Sequence, residues 1–235
     1  MTTLLQVEQI ETYIGQYYIL QGVSLEVRQG EITVLLGRNG AGKTTTLRSL
    51  MALNPISKGR ITYKGEEIHN LATYEIARRG IGYVPEDQGV FPALTVEENL
   101  KLAMQNTDAA TLERRDWILN LFPDLKTFWK KQAGVLSGGQ KQMLAIARAY
   151  VNDNELLLVD EPSKGLAPIM VEKVMRSLEE MKQKVTVVLV EQNFFMASSI
   201  GDRFYIMDDG MTVLDGQMSE LAADERLRKE YLGIA

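Results

Sequence analysis

Ile32-Thr33-Val34-Leu35-Leu36-Gly37-Arg38-Asn39-Gly40-Ala41-Gly42-Lys43-Thr44 runs from a short apolar segment straight into a glycine-rich loop. A continuous apolar run, rather than an alternating one, is expected of a strand buried on both faces. Gly37–Thr44 follows the spacing G-x-x-x-x-G-K-T/S, and a helical stretch, Thr45–Leu53, comes next. Strand, glycine loop and helix in that order are what a phosphate cradle needs. The glycines let backbone N–H groups turn inward around phosphate oxygens, and the new helix adds its positive N-terminal end. Lys43 is placed for the β and γ phosphates and Thr44 for Mg²⁺. The candidate nucleotide contacts are therefore Gly37, Arg38, Asn39, Gly40, Ala41, Gly42, Lys43, Thr44 and Thr45.

Such a site needs an acidic residue at the end of a neighbouring strand. Leu156-Leu157-Leu158-Val159-Asp160-Glu161 supplies it. Asp160 is expected to hold Mg²⁺, directly or through water. Glu161 reaches the γ-phosphate side as general base or as the group that orients water. A GTPase, a kinase or a simple ATPase could share all of this.

The discriminating stretch is Leu136-Ser137-Gly138-Gly139-Gln140. Ser137 is a natural N-cap for a helix ending near Tyr150. Gly138 and Gly139 expose backbone N–H groups at its start, although glycine there costs helix stability. This second anion-binding terminus, some way before the acidic strand, makes sense if it serves the nucleotide of another subunit.

Further from the loop, apolar runs at Thr186–Val190 and Ile81–Val84 read as more buried strands. Leu4–Val7 and Val23–Val27 alternate and suggest a half-exposed antiparallel layer, which Ile61–Tyr63 joins before a Lys64-Gly65 turn. Phe204–Met207 and Thr212–Leu214 flank Asp208-Asp209-Gly210 as a hairpin. From Asp87 to Glu155 helix signals dominate. Thr95 and Glu98 form a capping box for a helix through Met104, and Thr111–Phe122 is amphipathic. The expected architecture is α/β: a nucleotide-binding core of residues 1–86 and 156–215, a helical lobe of 87–155 inserted into it, and a helical tail of 216–235.

Composition narrows the chemistry. The 235 residues carry 26 Lys+Arg against 31 Asp+Glu, a net charge of −5, which argues against a nucleic-acid-binding surface. There is no Cys and a single His, His69, which excludes disulfides, thiolate zinc sites and multi-histidine metal centres. No stretch approaches the ~20 apolar residues of a membrane span, and no signal peptide is evident, so the chain is expected to stay cytoplasmic.

Together, the loop GRNGAGKT, the segment LSGGQ and the strand LLLVDE resemble the ATP-binding subunit of ABC transporters, as its Walker A loop, signature and Walker B strand. The resemblance runs from about Leu4 to the end. It implies a P-loop, RecA-like core with an antiparallel β layer and a helical lobe, and ATP and Mg²⁺ as ligands. It also implies a second ATPase subunit, identical or related, arranged head to tail. Each ATP then lies between one subunit's Walker loop and the other's Ser137, Gly138, Gly139 and Gln140. Two permease subunits and, indirectly, an extracytoplasmic binding protein complete the assembly. The subunit would sit on the cytoplasmic face of the inner membrane, held by the permeases.

A narrower likeness is carried by EPSKGLAP (Glu161–Pro168), YVPE (Tyr83–Glu86), LVEQN (Leu189–Asn193) and the terminal Tyr231-Leu232-Gly233. These resemble the LivF-type ATPase of branched-chain amino-acid importers, with the ATPases of urea and short-amide importers as a sister group. ABC ATPases that move no substrate are the remaining alternative, although they usually carry insertions or a second nucleotide domain.

Several positions depart from the general pattern. Glu86 stands where most members carry the Q-loop Gln; it can still meet Mg²⁺ or the attacking water, but adds negative charge near the γ-phosphate. Ala167 replaces the D-loop Asp. Ile14 falls at the adenine-stacking position with Tyr13 adjacent, and Tyr13 either offers its π face to the base or is an ordinary β-layer aromatic. Gln192 occupies the switch position, usually His, and His69, read as a surface residue, does not replace it. Catalysis is therefore assigned to Glu161, Gln192, Glu86 and Lys43, and Mg²⁺ to Thr44, Asp160 and Glu86. No imidazole is expected to titrate in this site.

Overall fold

In the computed structural model, which describes residues 2–234, the apolar run before the glycine loop is strand β3 (Ile32–Leu36), with every residue buried. The chain reaches it through a long hairpin of β1 (Thr3–Ile14) and β2 (Tyr17–Arg28). Helix α1 (Lys43–Leu50) leaves the loop, and β4 (Lys58–Tyr63) and β5 (Glu66–Glu67) complete a four-stranded antiparallel sheet in the order β2-β1-β4-β5. Helix α2 (Thr73–Arg78) then leads to β6 (Ile81–Val84).

Four helices follow: α3 (Val96–Ala103), α4 (Ala109–Leu121), α5 (Pro123–Thr127) and α6 (Gly138–Tyr150). The chain returns through β7 (Leu156–Asp160), α7 (Pro168–Met181), β8 (Thr186–Val190) and α8 (Phe194–Ile200). It continues through β9 (Arg203–Asp208), β10 (Met211–Gln217) and α9 (Met218–Ala223) into short helical turns over Glu225–Leu227 and Arg228–Leu232.

The second sheet has the order β10-β9-β3-β8-β7-β6. Strands β9, β3, β8, β7 and β6 are parallel, and β10 is an antiparallel edge. Both faces of its centre are covered, so side chains divide between two cores with a period of two. Ile32, Val34, Leu36, Leu157, Val159, Val187 and Leu189 pack with Leu100, Ile118, Leu144 and Ile146 of the helical lobe and Val174 and Leu178 of α7. Leu35, Leu156, Leu158, Val188 and Val190 pack with Leu47 and Leu50 of α1 and with Leu5, Ile10, Leu20 and Val23 of the antiparallel sheet. The lobe thus shares one apolar cluster with the sheet.

The β1–β2 hairpin is much longer than Leu4–Val7 and Val23–Val27. Its ladder carries several register shifts, and Tyr13, Ile14, Tyr17 and Tyr18 near the tip are exposed, so alternation fades there. Helix α4 starts at Ala109 because the Asp108 carboxylate accepts from Thr111 N–H at 2.8 Å, a cap upstream of the expected start. The Thr95–Glu98 box is as expected: Thr95 Oγ1 accepts from Glu98 N–H at 3.1 Å, and Glu98 accepts from Thr95 N–H at 2.7 Å. Strand β10 runs to Gln217, inside the stretch expected to be helical. The expected boundaries at residues 1 and 235 lie outside the described residues.

His69 is not a surface residue. Its side chain is only 14% exposed, and Nδ1 accepts from Ile61 N–H at 3.4 Å against the antiparallel sheet. A polar side chain in a short β-to-α connection reads as exposed from sequence, but Ile61 and Ile68 pull this connection onto the core.

Candidate ATP site at the strand ends

Four adjacent parallel strands deliver the candidate residues to one edge of the sheet. β3 leads into Gly37, β8 into Glu191 and Gln192, β7 into Glu161, and β6 into Pro85 and Glu86. Gly37 is held at φ 146, and a Cβ there would lie 2.3 Å from the Met207 carbonyl oxygen, so no larger residue fits the turn out of β3.

Lys43 is 4% exposed. Its Nζ donates to the Gly37 carbonyl at 2.8 Å and the Arg38 carbonyl at 3.0 Å, and lies 3.9 Å from Glu161 Oε1. Burial lowers its pKa, while Glu161, Asp160, Glu191 and Glu86 pull it back up. The loop has folded around the ammonium, which is satisfied by backbone carbonyls that an anion would outcompete.

Asp160 is fully buried. Thr44 Oγ1 donates to its Oδ1 at 3.1 Å and Tyr83 OH to its Oδ2 at 3.4 Å. Burial pushes this carboxyl up to about 6; the negative charges of Glu161 and Glu86 add to the rise, and the Thr44 and Tyr83 hydrogen bonds oppose it. Thr44 and Asp160 offer the hard oxygen donors that suit a magnesium ion. Among the described residues no group of three or more His, Cys, Asp or Glu is placed to hold a metal, so a cation here would draw the rest of its shell from phosphate and water.

Glu161 adopts φ 45, the left-handed region, which is uncommon for a residue with a Cβ and marks local strain. Its N–H donates to the Val190 carbonyl at 2.9 Å, and its carbonyl accepts from Lys164 N–H at 3.1 Å. The Gln192 amide Nε2 donates both to the Glu161 carboxylate and to Asn39 Oδ1, so the switch position touches the acidic strand and the glycine loop at once.

Glu86 does not stand as an uncompensated charge. Lys164 ion-pairs with it and lies 3.6 Å from Glu161 Oε2. Lys164 and Glu86 are 58% and 41% exposed, so water screens the pair, yet it sets a positive charge beside the extra negative one.

Lys43, Thr44, Thr45, Asn39, Gly40, Gly42, Glu86, Glu161 and Lys164 line one cleft of about 320 Å³, with Ile14 and Ile19 as its apolar rim. Gly37, Arg38, Asn39 and Gln192 line a neighbouring one beside Leu232 and Ile234. Ala41 is turned into the core instead. Tyr13 is not among the lining residues; its ring stacks on Tyr18 with centroids 4.7 Å apart. Ser137, Gly138, Gly139 and Gln140 are absent from this cleft as well. Ser137 caps α6 by accepting from Gln140 N–H at 3.3 Å, while Gln140 Oε1 accepts from Ser137 N–H at 3.0 Å. Gly139 has a packing reason too, since a Cβ there would lie 3.1 Å from Met170 Cβ and closer still to the rest of that side chain.

Lys164, Tyr83 and Glu191 escaped the sequence reading. Tyr83 and Glu191 sit within or directly after buried strands, and a polar group in that setting is the signal that could have found them.

The sequence matches the ABC transporter family over residues 20–164. It is 42% identical over 232 residues to the high-affinity branched-chain amino acid transport ATP-binding protein BraG of Pseudomonas aeruginosa, covering 98% of this chain and 100% of that protein. It is 37% identical to the probable branched-chain amino acid transport ATP-binding protein LivF of Archaeoglobus fulgidus, over 93% of this chain and 94% of that protein. A solved dimeric ATP-binding cassette in a post-hydrolysis state, bound to ADP and phosphate, superposes with a TM-score of 0.80 at 26% identity, covering 92% of this chain and 99% of that one. On its fold, its strand-end geometry and these end-to-end likenesses, the chain belongs to the ABC transporter family, as an ATP-binding cassette ATPase.

Proposed function

We propose that this chain is the ATP-hydrolysing subunit of an importer of branched-chain amino acids. The observation that carries this is the end-to-end likeness to BraG together with Lys43, Thr44, Asp160, Glu161 and Gln192 meeting at one sheet edge. Residues 1–86 and 156–215 act as the nucleotide-binding core, 87–155 as the signature lobe and 216–235 as a tail. Lys43 and the loop amides neutralise the phosphates, and Thr44 and Asp160, with Glu86 at the rim, hold Mg²⁺. That ion, when bound, screens phosphate charge during transfer to water. Glu161 takes the proton of the attacking water or orients it, and Gln192 donates to the γ-phosphate side; its amide cannot exchange a proton near neutral pH.

Ser137, Gly138, Gly139 and Gln140, absent from the cleft of their own chain, complete the site of a second cassette across a head-to-tail dimer. Ile14 and Ile19 support the adenine at the rim, with Tyr13 contributing only if it leaves Tyr18. No described helix is long and apolar enough to cross a membrane, so two permease subunits hold the cassette at the cytoplasmic face, and an extracytoplasmic binding protein delivers the cargo. The test is reconstitution with candidate permease subunits in vesicles, assaying ATP-dependent uptake of leucine against urea. Leucine uptake that is lost in Lys43→Ala supports the reading; urea uptake alone would reassign the cargo to short amides.

A further inference from the structure

Glu191 follows β8 directly and is 1% exposed, yet the hydrolytic scheme above gives it no task. Its carboxylate collects four donors from two separate loops. Oε1 accepts from Ser163 N–H at 3.0 Å. Oε2 accepts from Ser163 Oγ at 2.8 Å and from the Gln192 and Asn193 N–H groups, each at 3.1 Å. A carboxylate out of water is costly unless its lone pairs are filled, and here they are. Burial pushes its pKa up, and these hydrogen bonds pull it down.

The two loops are those that carry the reacting groups. Ser163 lies two residues beyond Glu161, and Gln192 is the switch residue whose amide donates back to Glu161. The contacts therefore close a ring: Glu191 to the Gln192 backbone, Gln192 side chain to Glu161, then along the chain through Pro162 to Ser163 and back to Glu191. Within this ring Glu161 keeps its left-handed backbone, a conformation that persists only where surrounding contacts over-determine it. We propose that Glu191 is a positioning residue, a buried clamp that ties the loop after β7 to the loop after β8 and so fixes the Gln192 amide and the Glu161 carboxylate relative to each other.

The proposal rests on the ATPase reading above, and it separates from a plain structural anchor by which step suffers. Lys43 and Thr44 are not bonded to Glu191, so ATP affinity should survive its loss while turnover falls. A shift of about 1 Å in a reacting group costs on the order of 100-fold. Glu191→Gln retains three of the four hydrogen bonds when its oxygen takes the Oε2 place, leaving only Ser163 N–H opposed by an NH₂ group. Glu191→Ala loses all four.

The experiment measures kcat and KM for ATP, binding of a non-hydrolysable ATP analogue, and thermal unfolding of the full chain in complex with its permeases. Expected are a kcat about 100-fold lower for Glu191→Ala with analogue affinity within threefold of wild type, and recovery to within about tenfold for Glu191→Gln. Because Glu191 acts through Glu161 and Gln192, adding Glu191→Ala to Glu161→Gln should slow turnover by clearly less than Glu191→Ala does alone. If Glu191→Ala does not fold, Ser163→Ala, which removes a single bond, carries the test with a smaller fall in kcat at unchanged affinity. A folded Glu191→Ala within threefold of wild-type kcat overturns the clamp, as does a full additional loss in the Glu161→Gln background, or a Ser163→Ala variant with unaltered kcat. A wild-type complex that hydrolyses no ATP would overturn the ATPase reading itself, a result distinct from these.

Discussion

Replacing Glu161 by Gln keeps the side chain's shape and its acceptor for the Gln192 amide but removes its charge and its basicity. General-base participation is worth 10²–10⁴ in rate, or about 3–5 kcal/mol of barrier. Affinity should move the other way. Glu161 Oε1 lies 3.9 Å from the Lys43 ammonium, and both side chains are nearly inaccessible. At an effective dielectric of ~20 that attraction is about 4 kcal/mol, and an incoming phosphate must displace it while facing the carboxylate's repulsion. If a third of this survives desolvation, about 1.4 kcal/mol, Glu161→Gln binds ATP roughly tenfold more tightly. Phosphate-release kinetics and calorimetric titration with MgATP measure the two effects, and gel filtration with ATP should show an accumulated dimer. Turnover within threefold of wild type would place the base elsewhere, with Glu86 the first alternative. Weakened ATP binding would refute the electrostatic reasoning.

Lys43→Ala should abolish measurable ATP binding in calorimetry, because its cation is the one embedded in the glycine loop; retained affinity would undo the site assignment. The carboxyl of Asp160 is pushed up to about 6 in the fold against an ordinary value near 4, so the native state holds this proton more tightly than the unfolded chain. Stability contributed through Asp160 is therefore present at low pH and falls as pH rises from about 4 through 6, by about 3 kcal/mol, whereas Asp160→Asn should lack this slope. Urea midpoints of the two proteins at pH 4.5 and 7.5 check it, and a difference that is constant with pH counts against it. Gly139→Ala should destabilise by about 1 kcal/mol through its clash with Met170, and Met170→Ala should relieve part of that penalty.

Local and periodic features of the fold are legible in the sequence. ITVLL, LLLV and TVVLV read as strands buried on both faces because the lobe and α7 cover one side of the sheet, and α1 with the antiparallel sheet covers the other. The caps at Thr95 and Ser137 are visible because each involves residues three apart. What could not be read is the pairing of distant segments. Glu191 gains its partners only because β7 and β8 are neighbours, and Lys164 meets Glu86 across 78 residues of sequence. His69 misled for the same reason, since its burial depends on a strand pairing rather than on its own neighbours. For the candidate site, motif spacing singled out Lys43, Thr44, Asp160 and Glu161; the hydrogen bonds that hold them in register are tertiary.

The order of strands β3, β8, β7 and β6 makes the sheet a ruler. Each interstrand step is about 4.8 Å, so the glycine loop, the Gln192 loop, Glu161 and Glu86 stand at successive graduations that span about 14 Å. Those intervals are fixed by backbone hydrogen bonds in the layer, not by the connections between strands, which range from the α7 crossover between β7 and β8 to the whole lobe between β6 and β7. The lobe can accordingly lengthen through its exposed loops without altering the distances between the candidate residues. A one-residue slip in any of the four strands has the opposite character: it would invert which core each side chain enters and displace one graduation relative to the rest. Tolerance to insertion should therefore be high in the exposed turn of residues 105–107 between α3 and α4 and close to nil within β3, β8, β7 and β6, a contrast that a scan of single-residue insertions would display directly.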